Sequence, residues 1–486
     1  MHPVLSTPEL LLDIFQWVPV DQMLAVALVN QTWSEWALDL KWRTAWVPLK
    51  ALVSILGSLD TITLNKHLLY TLGPVIPSAL ARFYHRSRAV TRLTFQNRFG
   101  LEPSSLERIE ELSRRQGPIF SDRLAQVYIL LEEHTKDTAH LLLAPSLRDV
   151  EIRFGWPRPP PTTAISFTNS LISVAAEHLY SITTVVEWPK DTDLTGGGAG
   201  SYVASPLWET LTAAPGLRHL YLIGYPVNNF GSLPAKRFSP NHTFSSISLE
   251  NLTLVGIGRS IPTSLALSIA ATHMPNLLRL ETPETCLGTQ DAVIILQHLK
   301  STALQLEVLT LCLEQDLEDS ILRDCLSFRN LRNLSLTCKG NNNLTETEWS
   351  RIMRSSPALP TLQTFSLKQS SRNSWEVPLT VSSLFALASR APDLESLTLP
   401  LNANKFGSTV FLSRPRSFYS LRHLSLVVYI PESACNQFAH LIASMCPNAQ
   451  ELHVVGVTWN GQIMKGLTQM VLNHMSAQHV STGSSA

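Results

Sequence analysis

The chain has 486 residues, with 38 basic and 38 acidic side chains and a formal net charge of zero. Charged residues make up 16% of it, against roughly 25% in ordinary soluble domains. No basic excess or basic stripe invites nucleic acid or an anionic membrane surface, so neither partner is expected.

The first residues lack a basic n-region, a long apolar h-region and a small-residue cleavage site, so no signal peptide is expected. No apolar run approaches the ~18 residues needed to cross a bilayer. The expectation is a soluble protein of the cytoplasm, the nucleus or both. Residues 7–18 read TPELLLDIFQWV. Ser6 with Glu9 three residues on can form a capping box, and Pro8 is tolerated in a first helical turn. Leu11, Ile14, Phe15 and Val18 form one helical stripe; Leu10, Ile14 and Trp17 form a second, rotated one. Pro19 limits this helix, and Asp21 is placed to cap the next, QMLAVALV (22–29). A third helix reads TWSEWALDLKW, with Trp33, Trp36, Ala37 and Leu40 on one face. So small a unit cannot bury all of this surface together with Trp42 and Trp46. The surplus must pack on the rest of the chain or meet a partner. Residues 51–84 are expected to be a helical linker packing on the repeats.

From about residue 85 to 475 one phrase recurs: leucine, two variable residues, an aliphatic, one variable residue, an aliphatic. It reads LRDVEI from Leu147, LRHLYL from Leu217, LENLTL from Leu249, LEVLTL from Leu306 and LRNLSL from Leu331. It continues as LQTFSL from Leu362, LESLTL from Leu394 and LRHLSL from Leu421, with weaker copies at Val90, Leu277 and Ala449. From Leu217 onward successive starts are 32, 28, 29, 25, 31, 32, 27 and 28 residues apart. The alternation closing each phrase predicts a short strand. Helical segments such as 264–274, 379–391 and 432–445 lie between. Several helices run into a proline hinge, as at Pro145, Pro215, Pro275 and Pro392, because proline cannot continue a helix.

The glycine-rich stretch TDLTGGGAGSYVASP (192–206) breaks the period. It has neither the Gly-Lys-Ser/Thr of a phosphate loop nor the third glycine of a dinucleotide loop, and is read as an insertion. The tail 476–486 has too little apolar content to fold and is expected to be disordered. Six scattered cysteines read as buried, reduced thiols. Cys312, Cys325 and Cys338 are evenly spaced through the repeat rather than in the short pairs of a zinc site. His219 and His423 occupy equal places in two LRHL phrases, but seven strands at about 4.8 Å put them some 33 Å apart. They read as single polar residues on strands. No G-x-S-x-G, H-E-x-x-H or paired-carboxylate motif appears. The chain is expected to be non-catalytic, without metal or other cofactor. The residue between the second and third aliphatics is Tyr221, Thr253, Thr310, Ser335, Ser366, Thr398 and Ser425 in the best copies. These define a polar, nearly uncharged column that is the candidate surface for a target protein, though threonine also suits a strand on its own account.

Strand, loop, helix and proline at this period resemble the leucine-rich repeat. PELLLDIF, ALVNQTW and KWR together resemble an F-box, with Glu9, Leu10, Leu11, Ile14, Phe15, Val29, Trp33 and Trp42 on matching positions. Ser6-Thr7 stands where that pattern has Leu-Pro, Asn30 where it has Cys, and Lys41 where it has Leu. The order resembles an F-box/leucine-rich-repeat family abundant in mushroom-forming fungi. The resemblance implies an α/β chain: a three-helix F-box-like unit (1–50), then an irregular right-handed leucine-rich-repeat solenoid. It also implies a substrate-receptor subunit of a cullin–RING ubiquitin ligase. The helices would dock on a Skp-family adaptor, and through it a cullin, with Pro8, Leu11, Phe15 and Trp33 at the contact; the repeats would hold the target. The alternative is a leucine-rich scaffold whose N-terminal helices only cap the solenoid.

Overall fold

The computed structural model describes residues 7–64, 67–95, 100–120, 122–154, 161–186, 208, 211, 214–223, 244–255, 263–340, 344–357, 359–369, 379–403, 417–457, 463–464 and 466–483. The glycine-rich stretch 192–206 lies outside them. The chain divides into two compact units, 1–225 and 226–486.

The first unit opens with three helices, α1 (Pro8–Gln16), α2 (Met23–Ala27) and α3 (Gln31–Thr44), with a turn of 3₁₀ helix, Val20–Gln22, ahead of α2. Proline begins α1, where a missing N–H costs nothing; Ser6 lies outside the described residues. Asn30 caps α3, its side-chain oxygen accepting the Trp33 N–H at 2.9 Å. Asp39, only 7% exposed, ties α3 to the helix Pro77–Ala89. It meets Arg43 at 2.6 Å and lies 3.8 Å from both Arg86 and His85.

Residues 51–84 are not a purely helical linker. Leu59–Leu64 and His67–Leu72 form an antiparallel pair, joined in parallel by Gly100–Leu101. The alternating, β-branched run LDTITL outweighs the helical context on either side. Beyond it, Val47–Pro48, Arg92–Phe95, Gln126–Leu131, Asp149–Phe154, Ser181–Val186 and His219–Ile223 pair in that order, all parallel.

The second unit continues the same grammar. Asn251–Val255, Arg279–Leu287, Val308–Leu313, Asn333–Cys338, Thr364–Gln369, Ser396–Asn402, His423–Tyr429 and Glu451–Val457 pair in parallel, one after another. Ile463–Met464 then adds an antiparallel edge. The fold class is mixed α/β with a large parallel sheet. The expected helix 264–274 stops at Ala270, and Thr272–His273 instead forms a short strand beside Phe244–Ser245. The tail is not wholly disordered, because the last helix runs Leu467–Gly483. Leu467, Val471 and Met475 are buried one turn apart, and a nucleated helix extends cheaply through its next residues.

Two backbone devices repeat through both units. The leucine opening each phrase donates its N–H three residues back: Leu147 to Ala144, Leu217 to Ala214, Leu306 to Ala303, Leu394 to Ala391. This closes the turn that ends each helix. The next two N–H groups then share one carbonyl of the preceding repeat. Arg332 and Asn333 both donate to Glu307, Gln363 and Thr364 to Arg332, and Glu395 and Ser396 to Gln363, at 2.8–3.0 Å. Beside this fork runs a side-chain ladder. Asn276, Asn330 and Asn448 donate to the carbonyls of Ile247, Leu304 and Tyr419, and Ser146 and Thr361 act similarly. Each stands immediately before a phrase opener, not at the place past the strand where the asparagine of a leucine-rich repeat is expected.

Inside, Leu252, Leu280, Leu309, Leu334, Phe365, Leu397 and Leu424 lie in one register row, none more than 2% exposed. Leu334→Ala should cost about 2–5 kcal/mol by leaving a cavity in that row, whereas Asn330→Ala should cost about 1 kcal/mol for its single hydrogen bond. Urea unfolding of the two variants checks the difference.

Candidate functional site

Two surfaces, one on α1 and one on the sheet, carry the residues named from the sequence. On α1 the two apolar stripes part company. Leu11 and Phe15 are 0% and 1% exposed and pack with Met23, Ala27, Ala37 and Leu40; Val18, Trp33 and Trp36 close over them. The Phe15 ring meets Trp33 edge-on, with centroids 5.4 Å apart. Leu11 and Phe15 therefore do not lie on a contact face, which corrects their expected place in one. The helices use them to hold each other. Trp33 is half-buried against the same core, and Pro8 is the helix's opening residue.

The rotated stripe faces outward. Leu10 and Ile14 are each more than 40% exposed and Trp17 is 89% exposed. Leu24, Leu28 and Val29 add exposed apolar surface on and just after α2. An isolated exposed leucine needs no explanation, but a stripe ending in an open tryptophan is the kind of surface that partners cover. The sequence already carried this stripe; what it could not settle was which of two apolar stripes the core would take.

The second surface is the row predicted from the phrases. Tyr221 lies in the first unit, in register with Thr183, Glu151, Tyr128 and Thr94. In the second unit Thr253, Glu281, Thr310, Ser335, Ser366, Thr398, Ser425 and His453 stand side by side on successive strands. The register thus brings together six of the seven named residues. Glu281 and His453 were missed because they sit in the weakest copies of the phrase. Reading those copies as strictly as the rest would have found them. Thr310, Ser335, Thr398 and Ser425 are half-buried, while Thr253 and Ser366 are 7% and 8% exposed. Among the described residues neither of these two hydroxyls has a hydrogen-bond partner.

Charges on this face are matched locally. Arg279 lies 3.8 Å from Glu281, and His423 lies 3.0 Å from Glu451. In the first unit Arg153 pairs with Glu151 at 3.0 Å and stacks over Tyr128 at 4.9 Å, while His219 packs edge-on against Tyr180 at 4.6 Å. His219 thus meets Tyr180, and His423 meets Glu451. Among the described residues no group of three or more His, Cys, Asp or Glu side chains is placed to hold a metal ion, and no helix is long and apolar enough to cross a membrane.

Comparison with models of protein families finds no match, nor does comparison with curated proteins. Among solved structures, a crystal structure of a structural-genomics protein from Bacteroides fragilis is 17% identical. It covers 48% of this chain and 68% of its own, with a TM-score of 0.27, and carries no argument about fold or function.

The division of α1 into an inner and an outer stripe is open to direct measurement. Phe15→Ala should destabilise the helical unit by about 3–5 kcal/mol, while Trp17→Ala should stay within about 0.5 kcal/mol of the parent. Denaturant titration followed by near-ultraviolet circular dichroism distinguishes them.

Proposed function

We propose that the chain is a substrate-receptor subunit of a Skp–cullin–F-box ubiquitin ligase, with an F-box-like helical unit followed by a leucine-rich-repeat solenoid. The observation that carries the reading is the outward stripe Leu10, Ile14 and Trp17, apolar surface that the helical unit does not use for its own core. The ordered match of three motifs in residues 8–43 supports the choice of a Skp-family adaptor as its partner. The receptor has no chemistry of its own. It raises the effective concentration of target lysines near a charged conjugating enzyme, and orientation supplies the acceleration. The hydroxyl-bearing row of the sheet, low in bulk and locally neutral, receives the target, as the concave faces of solenoids do. The residues assigned to the adaptor shift accordingly: Leu10, Ile14 and Trp17 make the contact, and Leu11, Phe15 and Trp33 support it from beneath.

A second reading is a scaffold whose helices serve only as the end of the repeat array. It rests on the way the helical unit runs into the sheet. Val47–Pro48 pairs with Arg92–Phe95, the Thr91 hydroxyl donates to the Arg43 carbonyl, and Asp39 binds Arg86. Burial lowers the pKa of the Arg86 guanidinium, opposed by the charges of Asp39 and Glu35. An array needs such an end.

Capture of a purified Skp-family adaptor by the full chain separates the two. The receptor reading expects a complex on size-exclusion chromatography. It also expects at least a ten-fold loss of affinity in the triple variant Leu10→Ala, Ile14→Ala, Trp17→Ala, with an unchanged circular dichroism spectrum. A wild-type chain that leaves the adaptor unbound, where another F-box protein binds it, favours the scaffold.

A further inference from the structure

On the open face of the second unit's sheet, the strand Arg279–Leu287 breaks register with its neighbour. Glu281 pairs with Thr310 and Cys286 with Cys312, so Thr282 to Thr285 stand opposite the single residue Leu311. Bulges of this kind re-aim side chains. This one is held down: the Cys312 N–H donates to the Thr282 hydroxyl at 3.1 Å, and Thr282 and Thr285 are buried. It brings two sulfurs together. Cys286 Sγ and Cys312 Sγ lie 2.7 Å apart, with Cys286 fully covered and Cys312 4% exposed. Facing positions on neighbouring strands are about 4.8 Å apart, within the roughly 4.4–6.8 Å between α-carbons that a disulfide bridges.

The surroundings distinguish this pair from the other thiols. Cys286 and Cys312 share a hydrogen bond, and with the hydrogen bond from the exposed Lys339 ammonium it lowers the pKa of Cys286 from the ordinary thiol value. The same contact, with burial, raises that of Cys312. Burial alone pushes the Cys446 thiol up to about 12, and Cys325 is raised in the same way. Sequence spacing does not pick out this pair: Cys325 ends a helix and Cys338 stands in register with Leu313, while the sulfur in contact with Cys312 is that of Cys286, four residues past the weak phrase copy Leu277–Thr282.

We propose that Cys286 and Cys312 form a reversible dithiol–disulfide site, oxidised by hydrogen peroxide and restored by a small-molecule thiol. The Cys286 thiolate attacks one peroxide oxygen; an S–O bond forms, the O–O bond breaks, and the leaving oxygen departs as water after taking a proton. Cys312 then attacks the Cys286 sulfur. The S–S bond forms, the S–O bond breaks, and the departing hydroxide takes the Cys312 proton as a second water. Two electrons pass from the sulfurs to the peroxide. Two molecules of external thiol reverse the change by exchange, leaving as their own disulfide. Because Cys286 is covered, peroxide enters through local opening of the bulge beside Lys339.

The test uses the full chain, reduced and then exposed to hydrogen peroxide, with remaining thiols alkylated in denaturant and peptides read by mass spectrometry. The expected product joins the Cys286 and Cys312 peptides, lacks two hydrogens, predominates over other oxidation products and disappears with dithiothreitol. Cys325, Cys435 and Cys446 stay alkylated. In Cys312→Ser, Cys286 should stop at the sulfenic acid and take up dimedone. The proposal is overturned if the wild-type chain keeps both thiols, if Cys286 advances to sulfinic acid without a crosslink, or if it joins Cys338 instead. The wild-type result decides the matter even where the variant folds poorly.

Discussion

The structure depends on one repeated backbone contact, a single carbonyl at the entry of each strand that accepts two N–H groups from the next repeat. A strand pair held by ladder bonds alone can slip by a residue, which sends every side chain to the wrong face. Here the slip is blocked at the first residue. Two donors converge on one acceptor while the preceding leucine closes its own turn, so the chain enters each strand at a defined point. What lies between strands is then free to vary, and the phrase starts differ by 25 to 32 residues without moving the leucine row. The outward row obeys the same constraint. Threonines and serines as far apart in sequence as Thr310 and Ser425 stand side by side because their leucine neighbours do.

The parts of the fold that could be read from residues are those that this contact repeats. The phrase names the strand, its aliphatics name the inner row, and the residue between names the outer row. Where no repeat exists, the sequence carries no such signal. The bulge at Thr282 to Thr285 has no periodicity to mark it, and it begins just past Glu281, which the register places beside Thr310. The pair Leu59–Leu64 and His67–Leu72 sits between helical segments and reads as part of them until its antiparallel partner is seen. The polar ladder through Asn276, Asn330 and Asn448 has no mark along the chain, since asparagine before a phrase and asparagine after it look alike in sequence.

The N-terminal unit shows a different limit. A helix with two apolar stripes gives no periodic answer to which one is buried. That is decided by a neighbour, and here the neighbour is Trp33, whose ring stands edge-on to Phe15. Once Leu11 and Phe15 are inside, Leu10 and Trp17 turn outward, and Ile14, which both stripes share, is left with them at 43% exposed. Three short helices have too little volume to cover both stripes. The exposed stripe is thus a consequence of size as much as of selection, and the same reasoning applies to any unit this small that must also join a sheet through Val47–Pro48.

The two open-face features of the second unit are coupled by strand geometry. Cys312 lies two residues beyond Thr310, so both project from the same side of the strand Val308–Leu313, roughly 6.6 Å apart along it. On the neighbouring strand the bulge separates Glu281 from Cys286 by five residues where its partner needs two. The segment that carries Glu281 into the outer row is therefore the one whose far end holds the sulfur pair. A covalent tie between Cys286 and Cys312 fixes that far end, and with it the freedom of Thr282 to Thr285 to move against the row. Among the contacts that anchor the bulge to the facing strand, the Thr282 hydroxyl accepts the Cys312 N–H and donates to the Thr310 carbonyl at 3.4 Å, and past it the Glu314 N–H donates to the Leu287 carbonyl at 2.9 Å. Contacts of that kind are worth about 1 kcal/mol each, so the proposed disulfide would add a covalent limit on the segment between Glu281 and Cys286 that these hydrogen bonds do not impose.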